Sequence, residues 1–251
     1  MKRYFIKLAY NGANYHGWQI QNNGITVQEC INKSLSLLLN QEINVTGAGR
    51  TDAGVHAKEF FAHFDFQGEL SPDDKKKLIF RLNKYHNNDI SIFDIIDVRD
   101  NAHARFDALS RTYKYYVNTF KDPFYKDFSY YVYGNLDIDL MNKAAALLFD
   151  YKDFSCFSKS KTQVKTNNCK IYHAEWEKEN DKLVFTIKAD RFLRNMVRAI
   201  VGTLIDVGKH RINIEDFKNI IESKNRSHAG YSVPAKALFL YKIEYPEEIF
   251  I

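Results

Sequence analysis

Asp52 stands between Thr51 and Ala53, with Gly47, Gly49 and Gly54 close on either side. Glycines at that density let a backbone bend tightly and let a large ligand approach a carboxylate able to act as nucleophile or base. The same pattern also suits an Asx-turn, in which the aspartate only bonds its own backbone. It is not a dinucleotide fingerprint, because GAGRTD lacks a third glycine at the required position and opens no helix, and it lacks the Gly-Lys-Ser/Thr of a phosphate loop. Arg198 is the second candidate. Phe192, Leu193, Met196, Val197, Ile200, Val201, Leu204 and Ile205 predict a helix over 192–207 that is apolar almost all round, with Arg198 in its middle. A guanidinium there requires a carboxylate or a phosphate, unless its stem reaches water. Arg191 and Arg194 read as a solvated or phosphate-contacting edge. Tyr113, in RTYKYYV, shares a strand face with Arg111, Tyr115 and Val117, where a tyrosine serves either the core or a ligand.

The elements that position these residues follow from periodicity. Alternation over 3–10 predicts a strand with Tyr4, Ile6, Leu8 and Tyr10 on one face. Thr26 and Glu29 form a capping box for a helix reaching residue 40, and strands are expected at 42–47 and 59–66, with the Gly-rich block between them. Ser71 and Pro72 open a helix to residue 86, and 90–98 is a Val/Ile-rich strand. A similar order returns with a strand at 111–119, a helix at 139–149, strands at 169–178 and 182–190 joined by Asn180-Asp181, the helix at 192–207, another at 214–222 and a last strand at 237–245. Two split-βαβ units in tandem result, an α+β fold with mainly antiparallel sheets. The expected halves are residues 1–105, carrying the Asp52 loop, and 106–251, with sheets joined around a central active-site cleft.

The chain has 251 residues, 45% of them hydrophobic, which suffices for a sizeable core. Lys and Arg number 36 against 31 Asp and Glu, and the net charge of +5 favours a polyanionic partner without demanding one. No apolar run reaches the length of a membrane span and the N-terminus lacks a signal-peptide pattern, so a cytoplasmic protein without a membrane partner is expected. Cys30, Cys156 and Cys169 are an odd number without a CxxC pair, which supports neither a disulfide framework nor a zinc site, and no metal is expected.

Five segments, in order, resemble the TruA family of tRNA pseudouridine synthases. GRTDAGVHA at 49–57 is similar to its active-site signature, and YNGANYHGWQIQ at 10–21 with TVQ at 26–28 resembles its N-terminal pattern. HARFDALSRTYKYYV at 103–117, FLRNMVRAIVG at 192–202 and VPAKALFLYKIEY at 233–245 resemble its later motifs. Asn11 departs from the usual Asp and Ala237 from the usual Gly. The resemblance implies that Asp52 is the catalytic aspartate and that Arg50 helps displace the target base. It also implies that Tyr113 contacts the target nucleotide and that Arg198 pairs with the carboxylate. The implied partner is tRNA rather than DNA, with uridines at positions 38 to 40 of the anticodon stem-loop as targets, and the implied assembly is a homodimer.

Making pseudouridine cuts the N1 glycosidic bond, turns the base and joins C5 to the same sugar carbon, so no atom is lost and no cofactor is required. Asp52 could add to C6 of the base, attack the sugar carbon or remove a sugar proton. Because the base must leave its stack, an arginine to fill the vacated space and an aromatic to hold the base are expected companions. Two rivals are an RNA-binding protein of this fold without catalysis and a sibling synthase acting on another RNA.

Overall fold

The computed structural model describes residues 1–159 and 166–251. Contacts divide the chain into two compact units, one formed by Met1–Leu109 with Leu240–Ile251 and the other by Ser110–Phe239.

In the first unit, β1 (Lys2–Tyr10) pairs antiparallel with both β3 (His56–Phe66) and β4 (Ile90–Asp97), and β2 (Thr46–Gly47) pairs with β3. Cross-strand register sets Tyr4 beside Phe64, Ile6 beside Ala62 and Leu8 beside Phe60, so the predicted alternation gives one buried aromatic face. The opposite face is covered as well. Phe5 packs edge-on against Tyr245 and Phe250 of the C-terminal segment, at ring separations of 5.4 and 6.3 Å. Helices α1 (Val27–Leu39) and α2 (Pro72–Tyr85) bury Val27, Ile31 and Leu35, and Leu78 and Leu82. Thr26 caps α1, and Ser71 with Asp74 forms a capping box on α2. The strand expected at 42–47 shrinks to Thr46–Gly47, because side chains of α1 capture the backbone before it: Ser36 Oγ accepts the Ile43 N–H and Asn32 Oδ1 that of Val45, at 2.8 and 2.9 Å.

In the second unit, β5 (Ser110–Asn118) pairs antiparallel with β8 (Lys182–Ala189), which pairs antiparallel with β7 (Ile171–Glu179). Asn180, at φ 55°, makes the two-residue turn between β7 and β8. A short β6 (Tyr130–Tyr131), not evident from periodicity, runs parallel to β5. Helix α3 (Ile138–Ala146) tightens into a 3-10 turn over Leu147–Asp150, so the expected helix at 139–149 is two elements. Asn142 on α3 accepts the Trp176 N–H at 2.7 Å and donates to its carbonyl at 3.0 Å, which satisfies backbone groups of the terminal strand β7. Helices α4 (Met196–Gly208) and α5 (Ile214–Ser223) follow, and β9 (Leu238–Glu244) carries the chain back to the first unit. The fold is α+β with mostly antiparallel strands, as the periodicities require.

One helix boundary moves. Residues 192–195 are not helical, and α4 begins only at Met196, because Asn195 adopts a left-handed conformation at φ 68°. Arg198 therefore stands in the first turn of α4 rather than in its middle. The predicted burial of that helix holds, with all of its residues buried except Arg198 and Asp206. Among the described residues no helix is long and apolar enough to cross a membrane, and Cys30, Cys156 and Cys169 are free thiols.

A buried imidazole, His63, and a half-buried one, His86, make the fold sensitive to acid. His63 accepts the Ala104 N–H at Nδ1 (3.1 Å), and His86 meets Ser34 Oγ at 2.9 Å. Burial lowers both pKa values to about 4, and for His63 the Arg3 charge adds to the effect. In the unfolded chain these groups take up protons near pH 6.5, which the folded state refuses until about pH 4. Stability is accordingly expected to be full above pH 6.5 and to decline as the pH falls from 6.5 to 4. Urea midpoints across that window check this, and the slope should flatten in a His63→Asn, His86→Asn double variant.

Candidate active site

The turn that carries Asp52 is shaped by close backbone contact. Residues 52–55 form a turn closed by the Val55 N–H to the Asp52 carbonyl at 3.2 Å, with Gly54 in its third position at φ 77°. A positive φ at that position is what a type II turn demands of its glycine. The turn rests on the loop after β1. Gly17, at φ 87°, lies so near that a Cβ placed on it would be 2.3 Å from the Thr51 carbonyl oxygen, and a Cβ on Gly12 would be 2.0 Å from that of Val55.

Hydrogen bonds fix the same two segments. Tyr10 Oη and Thr51 Oγ1 are 2.9 Å apart, the Gly12 N–H donates to His56 Nδ1 at 3.0 Å, and the Gly54 N–H donates to the Tyr15 carbonyl at 3.4 Å. Acceptance at Nδ1 puts the proton of a neutral His56 on Nε2. Trp18 anchors the loop on β3, its ring 4.1 Å from that of Phe60, and a Cβ on Gly47 would collide with the indole nitrogen at 2.3 Å. Thr51 and His56 are buried, Asp52 is half-buried and Arg50 is exposed. The backbone of the turn is thus fixed at both ends, with Asp52 half-buried and Arg50 exposed.

Tyr113 and Arg198 belong to the second unit. Tyr113, half-buried on β5 opposite Ile187, meets the edge of Phe192 at a ring separation of 5.1 Å and 88°. Phe192 lies in the non-helical lead to α4, so the break at Asn195 frees it to reach β5. Arg198 donates from Nε to the Val233 carbonyl at 2.7 Å, and its own carbonyl accepts the Val233 N–H at 3.3 Å. That segment lies flat on α4, since a Cβ on Gly202 would be 1.9 Å from the Tyr231 carbonyl oxygen. Tyr115 ties the segment to β5 by donating to the Pro234 carbonyl at 2.9 Å, and burial raises its pKa well above the usual phenol value. Arg111 donates to the Asp190 carbonyl at 2.9 Å, while Arg194 is exposed and precedes the helix instead of lying on it.

Periodicity named Tyr10 only as a strand residue and did not single out the supports Thr51, His56 and Val233. The signal that could have found them is glycine spacing: Gly12 and Gly17 crowd one loop, and Gly202 interrupts a helix interior where alanine is otherwise favoured. Among the described residues no group of three or more His, Cys, Asp or Glu is placed to hold a metal ion.

Residues 144–246 match a family described as tRNA pseudouridine synthase. Similarity to proteins named tRNA pseudouridine synthase A extends over the whole chain. The protein from Bacteroides fragilis is 55% identical over 251 residues, covering 100% of this chain and 99% of that relative. The one from Parabacteroides distasonis is 56% identical over 250 residues, covering 100% and 98%. At greater distance, the protein from a Thermoanaerobacter species is 37% identical over 247 residues, covering 98% of this chain and 100% of its own. Identity of this extent, spread over both structural units, places the chain in the TruA family of tRNA pseudouridine synthases, isomerases that make pseudouridine in tRNA.

Proposed function

We propose that the protein converts uridine to pseudouridine at positions 38 to 40 of the tRNA anticodon stem-loop, with Asp52 as the catalytic carboxylate. The observation that carries this reading is the Asp52 turn, fixed through backbone contacts to Gly12 and Gly17 while Asp52 itself is only half-buried. A structural aspartate needs no such support, whereas a reacting carboxylate must be held in place without being covered. Arg50, exposed two residues before it, fills the space left by the extruded base. Tyr113, steadied by Phe192, packs against that base, and Arg198 supplies the positive charge that a half-buried carboxylate in this role requires. The reaction needs neither metal nor cofactor. A cytoplasmic homodimer binding tRNA, with residues 1–105 and 106–251 as its tandem halves, completes the reading.

Asp52→Asn keeps the size and hydrogen-bonding capacity of the side chain and removes the oxygen that each of the three routes requires. Tritium release from 5-tritiated uridine in tRNA should drop to the detection limit. Filter binding of tRNA should change by no more than about threefold, since phosphate contacts spread over Lys and Arg carry most of the affinity. Retained turnover, even at about a tenth of wild type, would remove Asp52 from the chemistry.

Arg198→Met keeps much of the side-chain length while deleting the charge and the Nε donor to Val233. Turnover is expected to fall on the order of 100-fold at neutral pH, the usual scale for deleting one charged stabiliser of a reacting site. Normal turnover between pH 6 and 8 would show that Arg198 only braces the 231–234 segment.

A further inference from the structure

The HARFDA stretch at 103–108 builds a surface feature that the proposed reaction does not use. The His103 N–H donates to Asp107 Oδ2 at 2.8 Å and the Asp107 N–H returns to the His103 carbonyl at 3.0 Å. The N–H groups of Arg105 and Phe106 both donate to His103 Nδ1, at 3.1 and 3.3 Å. Burial lowers the His103 pKa, which favours the neutral ring able to accept them. The turn is also fixed from outside: Arg3 donates to the Ala102 carbonyl at 3.0 Å, the Ala104 N–H donates to His63, and Tyr245 Oη donates to the Ala104 carbonyl.

This locked turn holds out a phenylalanine. Phe106 is 73% exposed, with its ring centroid 4.2 Å from the His103 ring, which is itself 4.6 Å from His63. The Arg105 guanidinium stands 5.5 Å from the Phe106 centroid. A single exposed apolar side chain is ordinary. An exposed ring backed by a second ring, accompanied by a guanidinium and mounted on a turn with its backbone bonds already made is a preorganised stacking surface. One nucleotide suits both neighbours, offering a flat base to the ring and a phosphate to the guanidinium.

We propose that Phe106, backed by His103 and accompanied by Arg105, is a stacking platform for an unpaired base of the RNA substrate. The inference rests on the proposed function only in taking RNA as the partner. His63, beneath the platform, is seven residues along β3 from His56, which adjoins the Asp52 turn. At about 3.3 Å per residue that is about 23 Å, so the stacked base is not the target uridine but another nucleotide of the same RNA.

Phe106→Trp places a reporter on the platform. The two native tryptophans, Trp18 and Trp176, are each 2% exposed, so an indole at 106 gives the solvent-accessible emission. Titration with a tRNA transcript should quench that emission and shield it from acrylamide. Phe106→Leu should weaken tRNA binding and raise KM by about tenfold, the scale of one lost base stack, with the loss falling in KM rather than kcat, while Phe106→Trp binds like wild type. Unchanged indole emission at saturating tRNA, or unchanged affinity in Phe106→Leu, would overturn the platform. An altered molecular mass of Phe106→Leu in light scattering, with tRNA affinity intact, would overturn it too and reassign the ring to a protein contact. Failure of the wild type to release tritium from tRNA would instead refute the proposed reaction, while the binding titration would still decide for or against the platform.

Discussion

The Asp52 turn depends on one steric constraint: two glycines of the loop after β1 must let backbone touch backbone. Gly12 approaches Val55 and Gly17 approaches Thr51 so closely that any side chain at either position would overlap a carbonyl oxygen. Around that contact the other features fall into order. Trp18 can reach Phe60 because the loop lies flat, Gly47 is bare because the indole occupies the space beside it, and Tyr10 and His56 bond across the join. Backbone contacts to Gly12 and Gly17 thus fix the turn that carries Asp52, and a group proposed to react gains from being held in place in this way.

A second device governs the other unit. Asn195 in the left-handed region stops the apolar run from continuing upstream as helix, so Phe192 turns toward Tyr113 and Arg198 comes to the first turn of α4. The α4 N-terminus carries partial positive charge, which adds to that of the guanidinium and suits an anionic group nearby. The segment 231–234 reinforces the position by gripping Arg198 at both its backbone and its Nε, with Gly202 admitting the close approach. Both proposed functional regions thus use the same means: a left-handed residue or a bare glycine admits a second segment, and hydrogen bonds from that segment fix the residue that faces the ligand.

Much of this was legible in the chain. Period-two alternation located β1, Val/Ile content located β4, Asn180-Asp181 marked the turn between β7 and β8, Thr26 with Glu29 marked the start of α1 and Ser71 with Pro72 that of α2, and the Gly-rich block with its aspartate pointed to the chemistry. The resemblance of five ordered segments agreed with the family found by identity along the whole chain. The errors share one cause. The strand expected at 42–47 was lost to Ser36 and Asn32, the start of α4 to the left-handed Asn195, and β6 went unseen because two residues carry no period. In each case the deciding partner or backbone state lay outside the local pattern.

By itself the sequence determined the order and type of most elements, the α+β class, the family and the carboxylate on which the proposed chemistry turns, because these follow from side-chain type and near-neighbour spacing. Only the tertiary structure decided how that carboxylate is held, which residues brace Arg198 and Tyr113, and that the HARFDA turn presents an exposed ring. Those outcomes depend on contacts between segments far apart in the chain, such as Gly12 with Val55, Arg198 with Val233 and Ala104 with His63. Such contacts follow from shape and unsatisfied backbone groups, and neither quantity has a period that a linear reading can detect.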